Sequence, residues 1–193
     1  MLSLIEGFRS HHIAPSLAPM TDPNAPELYT PRTPDETIAL YDEWAGTYDG
    51  DIRDWGYATP GRIALALRMA GANVAKPVLD FGCGTGLSGM ALASVGFDVV
   101  DGTDISPAML SQAEARGVYR AVWIGQPGSL GHVERGDYPI IVAAGVVSLG
   151  AAPPETLDIL VNALSPGGLL AFSFNDPTLA DRAYTDRLDI ACL

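Results

Sequence analysis

Apolar positions along this chain follow two rhythms. Short, nearly unbroken apolar runs fall at Val78–Phe81, Phe97–Thr103, Tyr119–Ile124, Tyr138–Ala144 and Leu169–Phe174. Such runs read as strands buried on both faces. Between them the punctuation is helical. Thr33-Pro-Asp-Glu36 opens a helix to about Tyr48, with Ile38, Tyr41, Trp44, Ala45 and Tyr48 on one face. Thr59-Pro60 caps a helix across Ile63–Met69 that ends at Gly71. Leu87–Val95 is helical up to Gly96, Ser106-Pro107 starts a helix that stops at Gly117, and Pro154–Leu164 continues the alternation. Gly125–Asp137 is a polar loop. Asn175-Asp-Pro177 reads as the cap of a last helix running almost to Leu193.

Strand and helix alternate, which predicts an α/β fold: a doubly wound, Rossmann-like, mostly parallel sheet with helices on both faces. Right-handed crossovers give strand order 3-2-1-4-5. Ligands of such sheets sit beyond the carboxyl ends, where the order reverses between strands one and four. Asp80, Gly82, Asp104 and Ala144 map there. Nothing after the last helix reads as a strand, so the outer edge of strand five is expected to be bare, and a bare apolar edge is a pairing hazard. The expectation is a homodimer through strand five or the C-terminal helix, or else a fragment of a longer protein. Residues 13–34 carry Pro15, Pro19, Pro23, Pro26, Pro31 and Pro34. Residues 1–34 are therefore expected to be a weakly ordered, proline-rich leader, ill suited to cover that edge, and 35–193 to be the folded domain.

The first strand runs into Asp80-Phe-Gly-Cys-Gly-Thr-Gly86, with glycines at every second position. Glycines there permit positive φ and close approach of a ligand to backbone, and the next helix offers free N–H groups. An acid just ahead of the glycines repels a pyrophosphate but accepts from an amino group. That favours S-adenosylmethionine, which carries an ammonium and a sulfonium. Gly84-Thr-Gly-Leu-Ser-Gly89 also satisfies the dinucleotide pattern G-x-G-x-x-G. Asp80 and the earlier Gly82 argue against a nicotinamide oxidoreductase.

Charge removes other classes. The formal net charge is -12, from 11 basic and 23 acidic residues. Phosphate backbones need clustered Lys and Arg, so no nucleic-acid partner is expected, nor an anionic membrane surface. No apolar stretch is long enough for a span. Two cysteines, Cys83 and Cys192, and no secretion signal fit a cytoplasmic protein. Three scattered histidines make no metal site; His132 is a loop histidine or, less simply, a general base.

Val78-Leu-Asp-Phe-Gly-Cys-Gly-Thr-Gly86, Asp104-Ile-Ser-Pro-Ala-Met-Leu110 and Leu164-Ser-Pro-Gly-Gly-Leu-Leu170 resemble, in order, three motifs of the class I S-adenosylmethionine-dependent methyltransferases. Tyr41-Asp-Glu-Trp-Ala-Gly-Thr-Tyr-Asp49 is similar to a helix of a subgroup that includes the Williams–Beuren-region methyltransferase-like proteins. The resemblance covers about residues 36–190. It implies methyl transfer from S-adenosylmethionine to a small-molecule acceptor, leaving S-adenosylhomocysteine. It also implies a cofactor site of Tyr48, Asp80, Gly82, Cys83, Gly84, Leu87, Asp104, Ile105, Met109, Gln126 and Ala144. Asp104, ending strand two, takes the ribose hydroxyls in this reading; Asp101, in the same run, does not. The family often places an acid after strand three, where this chain has Gly125-Gln-Pro127, so Gln126 takes its place. The family usually adds two strands after the fifth helix, which this chain lacks. No catalytic residue is singled out. A domain that binds the methyl donor without catalysing, as a regulatory module, is the alternative.

Overall fold

The computed structural model of the chain describes residues 28–191 and the backbone of residues 2–6 and 9–13. Five parallel strands form the centre: β3 (Val78–Phe81), β4 (Val100–Asp104), β5 (Ala121–Ile124), β6 (Ile140–Ala143) and β7 (Leu169–Ser173). They lie in the order β5-β4-β3-β6-β7, which is the expected 3-2-1-4-5. Apart from β3, each strand is shorter than its apolar run. Phe97, for example, is buried in the core ahead of β4.

Alternation along the strands builds two apolar layers. Val78, Val100, Ile140, Val142, Leu169 and Ala171 face α3 (Thr59–Met69) and α4 (Leu87–Ser94), packing with Ile63, Leu67 and Leu92. Leu79, Ile141, Ala143, Leu170 and Phe172 face α6 (Thr156–Ala163) and α8 (Arg182–Ala191), packing with Leu157, Leu160 and Leu188. A side chain at Ile141 or Leu170 is fully buried, which is worth about 1.5–3 kcal/mol each relative to exposure.

The expectation of a bare edge on the last parallel strand is corrected. Strands β1 (Leu2–Glu6) and β2 (Arg9–Ile13) form a hairpin, and β1 pairs antiparallel with β7 from Leu2 opposite Ser173 to Glu6 opposite Leu169. The physical reason is local. The prolines begin at Pro15, and the residues ahead of it are free to donate to a ladder. With the edge paired, the argument for a second copy on that strand falls away. The proline-rich stretch 14–27 lies outside the described residues.

Two long helices expected from the pattern are each split. Thr33 and Glu36 cap each other reciprocally at the start of α1 (Pro34–Trp44). That helix stops short of Tyr48, and α2 (Tyr48–Asp54) starts afresh. Asp51 gathers both sides of the break, accepting from Trp44 Nε1 at 2.7 Å and Thr47 Oγ1 at 2.8 Å. At the other end, α7 (Asp176–Ala180), capped by Asn175, gives way to α8 at Asp181. The Asp181 side chain accepts from Ala183 N–H at 2.8 Å and so starts a new helix. Helix α5 (Pro107–Ala115), capped by Ser106, returns the chain from β4 to β5.

Candidate active site

The loop after β3 hangs from the end of β4. The Thr103 carbonyl accepts from both Gly82 N–H (2.8 Å) and Cys83 N–H (3.0 Å). The Asp104 carboxylate then takes Gly84 N–H at 2.8 Å on one oxygen and Ser106 N–H at 2.9 Å on the other. Gly82 sits at φ 69°, and a Cβ there would lie 2.4 Å from Val146 Cγ2. Only glycine gives this loop its path.

Beyond the carboxyl ends lies a cavity of about 360 Å³. Its floor comes from Gly82, Gly84, Asp104, Ile105, Met109 and Ala144, with Gln126 and Tyr48 on its walls. These eight are among the residues expected at a cofactor site. Asp80, Cys83 and Leu87 are not among the lining residues. Tyr41 lines the same cavity. Tyr41, Tyr48 and Trp55 pack around Trp44, with Trp44 and Tyr48 edge-on at 4.7 Å between centroids. Their stripe is thus both packing and cavity wall.

Asp80 is fully buried beneath the loop. One oxygen accepts from Ser88 Oγ (2.6 Å) and Tyr119 OH (2.7 Å). The other has no hydrogen-bond partner among the described residues. Burial pushes its carboxyl up to about 6, against the two hydroxyl bonds that favour the charged form. Burial likewise raises Asp104, opposed by the backbone N–H bonds from Ser106 and Gly84. Burial drives the Cys83 thiol upward, which favours its neutral form. Asp101 has a structural task. It is buried, with burial opposing its charge, but bonds from Arg120 and Tyr138 hold its carboxyl below the usual range. His132 is exposed, tilted against Trp123, and outside the lining.

Residues the sequence reading passed over fix the site. Tyr119 donates to Asp80 and accepts from Gly89 N–H at 3.1 Å. Asp42 accepts from Ser106 Oγ (2.5 Å) and Ala108 N–H (3.1 Å), tying α1 to the start of α5. Asp49 accepts from Thr85 Oγ1 (2.6 Å) in the glycine loop and pairs with Arg116. Both acids stand in the Tyr41–Asp49 motif, where the aromatic residues had drawn attention; their place at the two ends of that motif was the available signal. Thr103 Oγ1, buried in the cavity wall, also has no partner among the described residues.

Comparison with known proteins bears on the family. Residues 79–170 match the family described as Methyltransferase domain. That stretch carries a methyltransferase domain. The chain is 33% identical over 143 residues to human Methyltransferase-like protein 27, spanning 72% of this chain and 57% of that protein. It is 24% identical over 160 residues to the ubiquinone biosynthesis O-methyltransferase of Shewanella halifaxensis, spanning 79% of this chain and 66% of that one. The ribosomal protein L11 methylase of Lactobacillus delbrueckii subsp. bulgaricus shares the fold, with a TM-score of 0.55 at 22% identity over 70% of each chain. The chain thus spans between half and two thirds of the curated relatives named here.

The methyl donor of this domain, S-adenosylmethionine, fits the residues present. Asp104 offers a carboxylate at the cavity floor, and the Gly82–Gly84 path admits a ligand against backbone. The unpartnered Asp80 oxygen adds a buried negative pole beneath the loop, suited to an ammonium-bearing ligand over it. A pyrophosphate would meet two carboxylates there.

Proposed function

We propose that this protein transfers a methyl group from S-adenosylmethionine to a small-molecule acceptor. The observation that carries the reading is the glycine loop suspended between Thr103 and Asp104, with Asp80 buried beneath it. In that reading Asp104 holds the ribose, Ile105 and Met109 flank the adenine, Gln126 borders it, and Tyr48 closes over the methionine end. The bound sulfonium supplies an activated methyl carbon: an acceptor lone pair bonds to it, and the carbon–sulfur pair returns to sulfur, leaving S-adenosylhomocysteine. An acceptor that arrives protonated releases its proton to solvent. The chain's own work is alignment and exclusion of water. Tyr41, Tyr48 and the Asp42 and Asp49 ties keep α1 and α2 seated over the loop.

The small-molecule class is supported by the Shewanella relative, whose name gives it a role in ubiquinone biosynthesis. Placement in the Williams–Beuren-region subgroup is supported by the Tyr41–Asp49 motif and the human relative. A cytoplasmic site of action agrees with the cysteine usage; among the described residues no helix is long and apolar enough to cross a membrane. Incubation with S-adenosylmethionine and a metabolite extract should release S-adenosylhomocysteine above the rate without extract. Tight S-adenosylhomocysteine binding with no extract-dependent release would favour the regulatory, non-catalytic alternative.

A further inference from the structure

Tyr119, just ahead of β5, fills a slot that three glycines leave open. A Cβ on Gly89 would lie 2.3 Å from the ring's Cζ, one on Gly102 would lie 3.0 Å from its Cε1, and one on Gly86 would lie 3.2 Å from its Cε2. The last glycine of the Gly84-Thr-Gly-Leu-Ser-Gly89 pattern therefore makes room for a ring of the chain itself. The slot carries the hydroxyl to the buried acid beneath the loop. It donates to Asp80 Oδ2 at 2.7 Å and accepts from Gly89 N–H at 3.1 Å. Ser88 Oγ donates to the same Asp80 oxygen at 2.6 Å. Both hydroxyls thus converge on Oδ2 and leave Oδ1 buried with no partner among the described residues.

This arrangement sets both the direction and the charge of the carboxylate. Two hydroxyls on one oxygen pin the carboxyl group and fix which oxygen stays open. A hydroxyl that donates to a carboxylate also favours its ionised form. Burial works against that form, and so does the like charge of Asp104 across the loop. Cys83 in the loop and Tyr57 ahead of α3 feel the Asp80 charge as well, but burial raises both, so they stay neutral. Burial and the nearby Asp80 raise the Tyr119 phenol too, so it keeps its proton and remains a donor. None of these groups is a cation. The two hydroxyls are therefore what holds a charge on Asp80 against its surroundings, and Tyr119 supplies one of them from a distant part of the sequence.

We propose that Tyr119 is a positioning residue for the methyl donor: its hydroxyl keeps Asp80 ionised and leaves the second carboxylate oxygen for the donor's ammonium. The proposal rests on the methyl-transfer reading of the same site. The test is calorimetric titration of the full chain with S-adenosylhomocysteine, which keeps that ammonium, between about pH 5 and pH 8. Affinity of the parent should fall as pH drops and Asp80 takes up a proton, because a neutral acid no longer attracts the ammonium. Tyr119→Phe keeps the ring in its slot and removes the hydroxyl. It should move the inflection up by about one pH unit, the equivalent of one hydrogen bond to a charged group. The gap between variant and parent should widen to about tenfold at the acid end and narrow to a few-fold at the basic end. A ring that served packing alone would give a gap that does not change with pH. Asp104 titrates as well, but the Tyr119 hydroxyl is bonded to Asp80, so a shift seen only in the variant reports Asp80. Ser88→Ala removes the other hydroxyl with the ring untouched and should shift the inflection in the same direction; it takes the place of Tyr119→Phe if that variant does not melt cooperatively. A parent affinity that is flat across the range, or an inflection unmoved by removal of the hydroxyl, would overturn the proposal. Failure of the parent chain to bind S-adenosylhomocysteine at any pH would instead overturn the methyl-transfer reading beneath it.

Discussion

The two halves of the cavity are built in opposite ways. The loop half comes mostly from one short stretch, residues 80–109, joined by Ala144, and its key bonds use backbone donors: Gly82, Cys83, Gly84 and Ser106 all donate N–H groups to the end of β4. The cover half is assembled from segments far apart in sequence. Arg32 reaches Gly150, Asp42 reaches Ser106, Asp49 reaches Thr85, and Gln112 donates to Ala45 O at 2.5 Å. A backbone cradle demands particular residues at fixed spacing, because only glycine tolerates its φ values and a Cβ would fill it. A cover held by side chains reaching across the fold sets no such local demand. The first half is the kind of structure that stays the same while ligands are held, and the second is the kind that can be re-cut for a different acceptor.

The contrast can be broken first at the cradle. Gly82→Val would place a β-branched residue at φ 69° with its Cβ against Val146. Strain and overlap together should cost about 3 kcal/mol or more, and S-adenosylhomocysteine binding should vanish in calorimetry. Next comes a pair of acids on one strand. Asp104→Ala removes the acceptor of Gly84 and Ser106 N–H and the proposed ribose ligand. Affinity for S-adenosylhomocysteine should fall more than about tenfold, with about 1–3 kcal/mol of stability lost. Asp101→Ala strips Arg120 and Tyr138 of their partner and should cost comparable stability, yet leave affinity within about twofold. If Asp101 proves the sensitive one for affinity, the ribose assignment is wrong.

Asp80 gives a pH signature in the ligand-free protein. Its folded value, about 6, lies above the ordinary 3.8. The native state thus holds a proton that the unfolded chain has lost. This contribution is fully present below about 4 and disappears as pH rises through about 6, amounting to at most about 3 kcal/mol. Denaturant midpoints for the parent and Asp80→Asn should diverge across that window, with the parent losing stability relative to the variant as pH rises. Parallel curves would mean that Asp80 is charged throughout. The smallest effect is expected at the cover. Asp42→Ala frees Ser106 Oγ and Ala108 N–H at a partly exposed junction, costing about 1 kcal/mol. Affinity for S-adenosylhomocysteine should drop only a few-fold.

This same difference explains what could be read from the sequence. The strand order and the glycine turn followed from local pattern, since apolar runs, turn residues and helix caps act on near neighbours. Tyr119 was invisible as a partner of Asp80, because nothing in its surroundings says which way its hydroxyl points. Arg32 was hidden for a related reason: its partner Gly150 is a carbonyl, which any residue would supply. The split of the first helix at Gly46 was missed because Asp51, which binds both Trp44 and Thr47, lies beyond the motif that suggested one helix. The hairpin of β1 and β2 was missed because the prolines from Pro15 onward coloured the whole leader, although none falls within either strand.

The central claim is that the loop after β3 is a cradle for a sulfonium nucleoside rather than for a dinucleotide. Isothermal titration of the full chain with S-adenosylhomocysteine and, separately, with NAD tests it most directly. The account predicts saturable heat with S-adenosylhomocysteine and none with NAD; heat with NAD and none with S-adenosylhomocysteine would contradict it.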